Sequence, residues 1–434
     1  MNIKRRQHSL LQSELVKNST KLLSANVIAQ VIGFLIYPLL TRLFSADEFG
    51  LMNLFLSISG ILILIANADY QNAIVLPKET ERGVACFQIS FMLSLLVSLA
   101  CFATLPFKQS IAALFNAPQL ANYLYLLPWF VFIGALSIQL NTWYTRTKKF
   151  GNIAINQVSQ SVTASGFKYI SGLLGFTNGG LIWGSVIGQL LGIVASLTQT
   201  ARQSLKSLFK WDKQIIGEVA KTYQNFPKYT LPKSLVNNFS YNLPILLLTP
   251  FFSLTEIGLF GMAITLAFRP LNMISNSLYQ VFYQKSAEKY QNKQTLLHFF
   301  TKYISKTSMI VVPSFMVLFF MLPTLIQWFL GDDWEVTGHY IQVMLPWLFM
   351  SVLAAPIAYL SDLFAQQRKG LLFEIAIVVS RTIGLIIGIL CNDFYVAIVG
   401  YCIASATIIF LQIIWYRHLI LQYEKERTQV SKTE

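Results

Sequence analysis

The chain has 434 residues, of which 54% are hydrophobic and only 12% charged, and its mean hydropathy is +0.54. A soluble domain of this size carries roughly twice that charge fraction, so a soluble enzyme is excluded and an all-α integral membrane protein is expected. The net charge of +14 argues for contact with anionic lipid headgroups rather than nucleic acid, because Lys and Arg are spread along the ends of the apolar runs.

An apolar run of about 20 residues is enough to cross a bilayer as a helix. The sequence predicts twelve such spans, at about 22–41, 49–76, 84–105, 121–144, 153–175, 180–200, 231–252, 259–283, 305–330, 340–365, 371–391 and 394–416. Short polar clusters separate several of them, such as Ser45-Ala46-Asp47-Glu48, Asn178-Gly179-Gly180, Gly331-Asp332-Asp333-Trp334 and Cys391-Asn392-Asp393. These are the turn formers that helical hairpins need. The first 20 residues are basic and polar, and the apolar run after them has no small-residue cleavage pattern. No cleavable signal peptide is therefore expected.

Orientation follows from the basic residues. With the amino terminus inside, the cytoplasmic segments hold 25 Lys and Arg and the outer segments only Arg42 and Lys108. This is a positive-inside asymmetry that places both termini in the cytoplasm. Cys86, Cys101, Cys391 and Cys402 fall in or at the ends of spans without ligand spacing and read as packing residues. Trp129, Trp143, Trp183, Trp328, Trp334, Trp347 and Trp415 read mostly as an interfacial belt.

An internal repeat divides the chain. At an offset of 208 residues, Leu39 to Leu51 lies over Leu247 to Leu259 with eight of thirteen positions identical. Span 1 thus corresponds to span 7 and span 2 to span 8. Six spans per half gives parallel insertion of the two halves. The expected organisation is an N-lobe over 1–200, a basic cytoplasmic linker over 201–230, a C-lobe over 231–416 and a tail over 417–434. Two such lobes can rock about a central cavity.

No phosphate-binding Gly-x-x-x-x-Gly-Lys-Ser/Thr loop, His-Glu-x-x-His pair, paired Cys ligands or nucleophile elbow occurs, so no ATP hydrolysis, metal site or cofactor is expected. His8, His298, His339 and His418 are scattered. No loop is long enough to carry the catalytic residues of a glycosyltransferase or polysaccharide ligase.

Several segments carry a family resemblance: Tyr37-Pro38-Leu39-Leu40-Thr41-Arg42-Leu43-Phe44-Ser45 with Glu48-Phe49-Gly50, Tyr70 through Lys78, Trp143 through Phe150, and Gly184 through Gln189. Tyr223, Phe226-Pro227, Pro232, Leu243-Pro244, Gly258-Leu259 and Pro270 extend it into the second half. Together they resemble the bacterial polysaccharide flippase family, the Wzx-type branch of the multidrug/oligosaccharidyl-lipid/polysaccharide exporter superfamily. The resemblance implies two six-helix bundles around a central cavity lined by spans 1, 2, 7 and 8. It implies transfer of an undecaprenyl-diphosphate-linked oligosaccharide, such as an O-antigen unit, to the outer leaflet of the bacterial cytoplasmic membrane. The partners it implies are that substrate, membrane lipids, a polysaccharide polymerase and glycosyltransferases. The alternative is a multidrug or cation antiporter of the same superfamily. Lipid II flippases typically have two further spans, which argues against a peptidoglycan precursor.

Six charged residues fall inside or near the ends of predicted spans: Asp69, Lys168, Arg269, Asp362, Glu374 and Arg381. Ions in hydrocarbon are costly and usually face a bundle interior or a watery cavity. Arg269, mid-span and directly before the helix-kinking Pro270, is the leading phosphate ligand, since a guanidinium can grip phosphate bidentately; a structural ion pair is its other reading. Lys168 and Arg381 sit in equivalent spans and give the interior a positive potential. Glu374, seven residues before Arg381, shares its helix face and is a possible charge partner. Asp69 reads either as a proton or cation site, exchanging with Arg269 between states, or as an interhelical hydrogen-bonding residue. Asp362 and Glu374 are expected to reach the interface, with ion coupling as the second reading. If spans 1 and 7 line the cavity, Lys21 and Lys233 form a basic cytoplasmic mouth; otherwise they snorkel to headgroups. The deep charges lean cationic, which favours an anionic cargo over the antiporter.

Overall fold

The computed structural model describes residues 27–200, 206, 208–291 and 295–433. Lys21 lies outside the described residues. The described residues form helices α1 (Val27–Leu40), α2 (Ala46–Asn67), α3 (Thr80–Ala103), α4 (Leu127–Arg146), α5 (Phe150–Leu173), α6 (Gly180–Thr198) and α7 (Lys213–Thr222). They continue with α8 (Leu231–Leu248), α9 (Leu254–Gln291), α10 (Leu297–Leu330), α11 (Glu335–Ala354), α12 (Gln367–Leu390) and α13 (Phe394–Thr433). Each predicted apolar run overlaps one of these helices, though the ends differ.

Among the described residues, nine helices are long and apolar enough to cross a membrane; α1, α5 and α8 are shorter or more polar. The polarity of α5 has a physical reason. Asn156 donates to Ser137 Oγ at 3.0 Å and to Asn141 Oδ1 at 2.9 Å on α4, and Asn152 donates to Thr200 Oγ1 at 2.9 Å. Interhelical amide bonds of this kind join helices where apolar contact gives no advantage over lipid.

The chain groups into two compact units, Met1–Gly258 and Leu259–Glu434. Inside the first, α5 packs along α6, and α2 packs on α3, α4 and α8. Inside the second, the main pairs are α12 with α13, α10 with α11 and α11 with α13. The boundary between units falls within α9, not in the 201–230 stretch, because α8 packs with the first unit's α2. Part of that stretch is itself ordered against the first unit. Asp212 caps α7 by accepting from the Gln214 and Ile215 amides, and Gln88 of α3 donates to the Leu208 and Lys210 carbonyls at 2.9 and 3.0 Å.

Four further features differ from the sequence reading. The span predicted over 49–76 ends at Asn67, because Ala68 and Asp69 both adopt left-handed backbone (φ 46° and 56°) and a short 3-10 turn follows over Tyr70–Val75. The tail after 416 continues α13 as helix to Thr433. Of the tryptophans assigned to a belt, Trp143, Trp334 and Trp347 are buried core residues, whereas Trp129 and Trp328 are exposed. Cys86, Cys101 and Cys402 are buried as packing residues, but Cys391 is exposed at the end of α12.

Prolines inside the long helices are accommodated locally. Pro323 in α10 cannot donate to the Phe319 carbonyl, the acceptor four residues back. The side-chain amide of Gln342 on α11 donates to that carbonyl instead. The Gly338 backbone lies against Pro323, so the two helices approach closely at this point.

Candidate functional site

The repeat noticed in the sequence is also a contact. Ser45 and Glu48 form a capping box at the start of α2, with the Ser45 amide donating to Glu48 Oε2 at 2.8 Å. Ser253 and Glu256 repeat it before and within α9, with the corresponding bond at 3.0 Å. Each box satisfies orphan amides at its own helix start. The two helix starts meet through glycine. A Cβ on Gly50 would fall on the Leu254 carbonyl, and a Cβ on Gly258 would fall on the Ala46 carbonyl and 2.9 Å from the Gly50 amide nitrogen. Beside this reciprocal crossing, Thr255 Oγ1 donates to Asp47 Oδ1. Asp47 and Thr255 occupy the same position in the two repeats.

At the other end of α2 the chain builds a polar knot. Asp69 is only 2% exposed. Its Oδ1 accepts from Gln71 Nε2 at 3.0 Å and Asn72 Nδ2 at 3.1 Å, and its Oδ2 accepts from Ser234 Oγ of α8 at 2.7 Å. Among the described residues no cation pairs with this carboxylate. Asn67 continues the network, its Oδ1 accepting from Gln139 Nε2 at 2.9 Å and Ser90 Oγ at 3.1 Å. The side-chain oxygens of Gln71 and Gln139 are buried with no donor to them. Such acceptor excess is costly in a low-dielectric interior and suits a proton or small cation. Among the described residues, no group of three or more His, Cys, Asp or Glu has the proximity of a metal site.

The remaining predicted residues are placed as follows. Lys168 is half-buried on α5; its stem crosses the face of Gly184 on α6, where a Cβ would collide with it, and its Nζ lies 3.6 Å from Met52 Sδ of α2. Lys233 is exposed, next to the Ser234 that binds Asp69. Arg269 is half-buried on α9 between Pro270 and Phe268, whose ring lies 4.6 Å from that of Trp347. Arg381 is held in a cradle: its guanidinium carbon is 5.1 Å from the Trp347 ring centroid and 5.0 Å from that of Tyr401, and Nε donates to Ser405 Oγ at 2.8 Å. Cation–π contact in a desolvated site is worth about 2 kcal/mol or more. Trp347 therefore links the neighbour of Arg269 to the cradle of Arg381. Asp362 and Glu374 are both exposed.

Sequence reasoning assigned no role to Arg146. It donates to the carbonyls of Ile74, Pro77 and Glu79 at 2.9, 2.6 and 2.8 Å, closing the loop between the Asp69 knot and α3. Its only sequence signal was its place in the aromatic-basic turn after span 4. The Trp347 and Tyr401 cradle gave no signal, since Trp347 reads as an interfacial aromatic and Tyr401 stands in no motif.

These features define a helical membrane protein with apolar spans that hold half-buried charges and a repeat that meets itself at one end. The same fold is seen in an inward-closed structure of the lipid II flippase MurJ (TM-score 0.71, 14% identity, 93% of this chain and 87% of that one). It is also seen in an inward-facing multidrug resistance MATE family transporter of the MOP superfamily (TM-score 0.69, 15% identity, 91% and 96%). The chain belongs to the polysaccharide biosynthesis protein family, whose model matches residues 39–339. It is 22% identical over 273 residues to the succinoglycan biosynthesis transport protein ExoT of Rhizobium meliloti (strain 1021), a match over 61% of this chain. That match spans about half the length of the relative, 53%.

Proposed function

We propose that this chain is a flippase carrying an undecaprenyl-diphosphate-linked oligosaccharide, an O-antigen or other surface-polysaccharide unit, from the inner to the outer leaflet of the bacterial cytoplasmic membrane. It is a transporter and not an enzyme. Twelve spans in two lobes, with both termini cytoplasmic, alternate access to a central cavity. The observation that carries the reading is membership of the polysaccharide biosynthesis family by a chain whose half-buried charges, Lys168, Arg269 and Arg381, are cationic.

The roles follow from charge and position. Arg269 grips the diphosphate, because a guanidinium offers parallel donors to phosphate oxygens. Lys168 and Arg381 set a positive interior potential, and Lys21 and Lys233 attract the anionic head at the cytoplasmic mouth. Asp69, ringed by neutral donors and next to the unfilled Gln71 oxygen, takes up the coupling ion. Asp362 and Glu374 are charge partners at the inner rim.

The crossing of α2 and α9 serves as the outer closure. Each helix start is capped by its own residues, so parting them sacrifices no cap. What is lost is backbone packing and the Asp47–Thr255 bond, a bond to a charged group, worth about 1.5–3 kcal/mol net. Such a closure is firm enough to hold and weak enough to open within a transport cycle.

The test is deletion of the gene in its host, with complementation. Wild type should restore surface glycan, and Arg269→Ala, expressed at equal level, should leave lipid-linked glycan trapped inside. The antiporter reading is favoured by one observation, the buried Asp69. It would be preferred if deletion changed susceptibility to cationic drugs while surface glycan was unaltered.

A further inference from the structure

In the second unit, Tyr279 and Tyr283 lie one turn apart on α9 with near-parallel rings, 9° between planes and 6.1 Å between centroids. Both are open, 37% and 50% exposed. Tyr359, 3% exposed, meets both rings edge-on, at 5.9 Å and 5.4 Å with angles of 79° and 87°. Its hydroxyl is tied to Ser286 Oγ at 2.5 Å. A buried, anchored ring thus fixes the orientation of two accessible ones. Tyrosines that merely anchor a helix at a headgroup layer need no such brace.

A carboxylate stands beside the pair. Asp362 is exposed, three residues beyond Tyr359, and lies within electrostatic reach of Tyr279 and Tyr416. Carboxylates only accept hydrogen bonds when ionised, so they suit a ligand rich in hydroxyl donors and repel a second anion. A pyranose has both complementary features: an apolar C–H face that packs on an aromatic ring, and a rim of hydroxyls.

We propose that Tyr279 and Tyr283, braced by Tyr359, form a stacking platform for a neutral pyranose of the carried oligosaccharide, with Asp362 accepting from its hydroxyls. This rests on the flippase reading above. Tyr279 is ten residues beyond Arg269, about 15 Å along a helix at 1.5 Å per residue. One helix then presents a cation for the diphosphate and a platform for the sugars attached to it. The Asp362 carboxylate disfavours a uronic acid at this position in the glycan.

The test uses the full-length protein in nanodiscs and, as probe, the oligosaccharide released by mild acid from the lipid-linked glycan that accumulates in a deletion strain. Saturation-transfer NMR should show contact between wild-type protein and the ring C–H protons of a neutral sugar. Tyr279→Ala with Tyr283→Ala should weaken that binding about tenfold, the effect of losing two aromatic contacts. Tyr279→Phe with Tyr283→Phe should keep it within about twofold, and Asp362→Asn should weaken it while leaving the stacked contact in place. Unchanged binding by the double alanine variant, or preferential contact with a uronic acid, would overturn the platform and leave the flippase reading standing. A deletion strain that accumulates no lipid-linked glycan would overturn the flippase reading, and the platform with it.

Discussion

Gly258→Ala offers a direct probe of the α2–α9 crossing. The added Cβ would stand 2.8 Å from the Ala46 carbonyl carbon and 2.9 Å from the Gly50 amide nitrogen, where ordinary contacts begin at 3.4 Å. The Cβ would also fall on the Ala46 carbonyl oxygen, and none of these atoms belongs to a flexible side chain, so the helix starts themselves must move apart. Overpacking of this kind costs about 1–3 kcal/mol, which shifts a two-state equilibrium by about fivefold to a hundredfold. The readout is thiol cross-linking in membranes between Asp47→Cys and Thr255→Cys, with Cys86, Cys101, Cys391 and Cys402 replaced. Cross-linking should be efficient with Gly258 and fall at least fivefold with Gly258→Ala. Gly60→Ala, on the same α2 helix but facing open space, controls for the helix-stabilising effect of alanine. Equal cross-linking in all three backgrounds would refute the crossing as a closed end that glycine makes possible.

The other expectations concern the charges. Neutralising Lys168 and Arg381 together should slow export of acidic repeat units more than neutral ones; equal losses would remove the electrostatic role. Asp69→Asn leaves an amide where Gln71, Asn72 and Ser234 all donate, and should cost about 1–3 kcal/mol of stability. It should also make residual export indifferent to collapsing the proton or sodium gradient, and retained ionophore sensitivity would exclude Asp69 as the coupling site. Trp347→Ala removes a buried ring that contacts Phe268, Tyr401 and Arg381. A loss of about 3–5 kcal/mol, read by thermal unfolding in detergent, is expected; an unchanged melting temperature would contradict the cradle.

Much of the helix inventory was legible because a lipid-crossing segment must be long and apolar, and the prolines and turn clusters mark its ends. The repeat was legible as eight identities, but not as a contact, since a sequence does not say that Gly50 and Gly258 touch. The break after Asn67 was hidden because the two left-handed residues are Ala68 and Asp69, neither of them glycine; only the polar run Asn67 to Asn72 hinted at it. Asp69 stood out as a charge, whereas its partner Ser234 lies 165 residues away and was invisible. The same holds for the aromatic cradle of Arg381, whose members come from α11 and α13 while Arg381 itself lies on α12. Composition marks an aromatic residue but does not say whether lipid, a guanidinium or a sugar lies against its face.

The central claim is tested most directly with purified protein in proteoliposomes carrying a fluorescent undecaprenyl-diphosphate oligosaccharide, using a membrane-impermeant quencher to follow leaflet exchange. Wild-type protein should expose labelled lipid from the shielded leaflet far faster than empty vesicles, and Arg269→Ala should return the rate to that background. Exchange no faster than in empty vesicles under an imposed proton or sodium gradient of either direction would contradict the account.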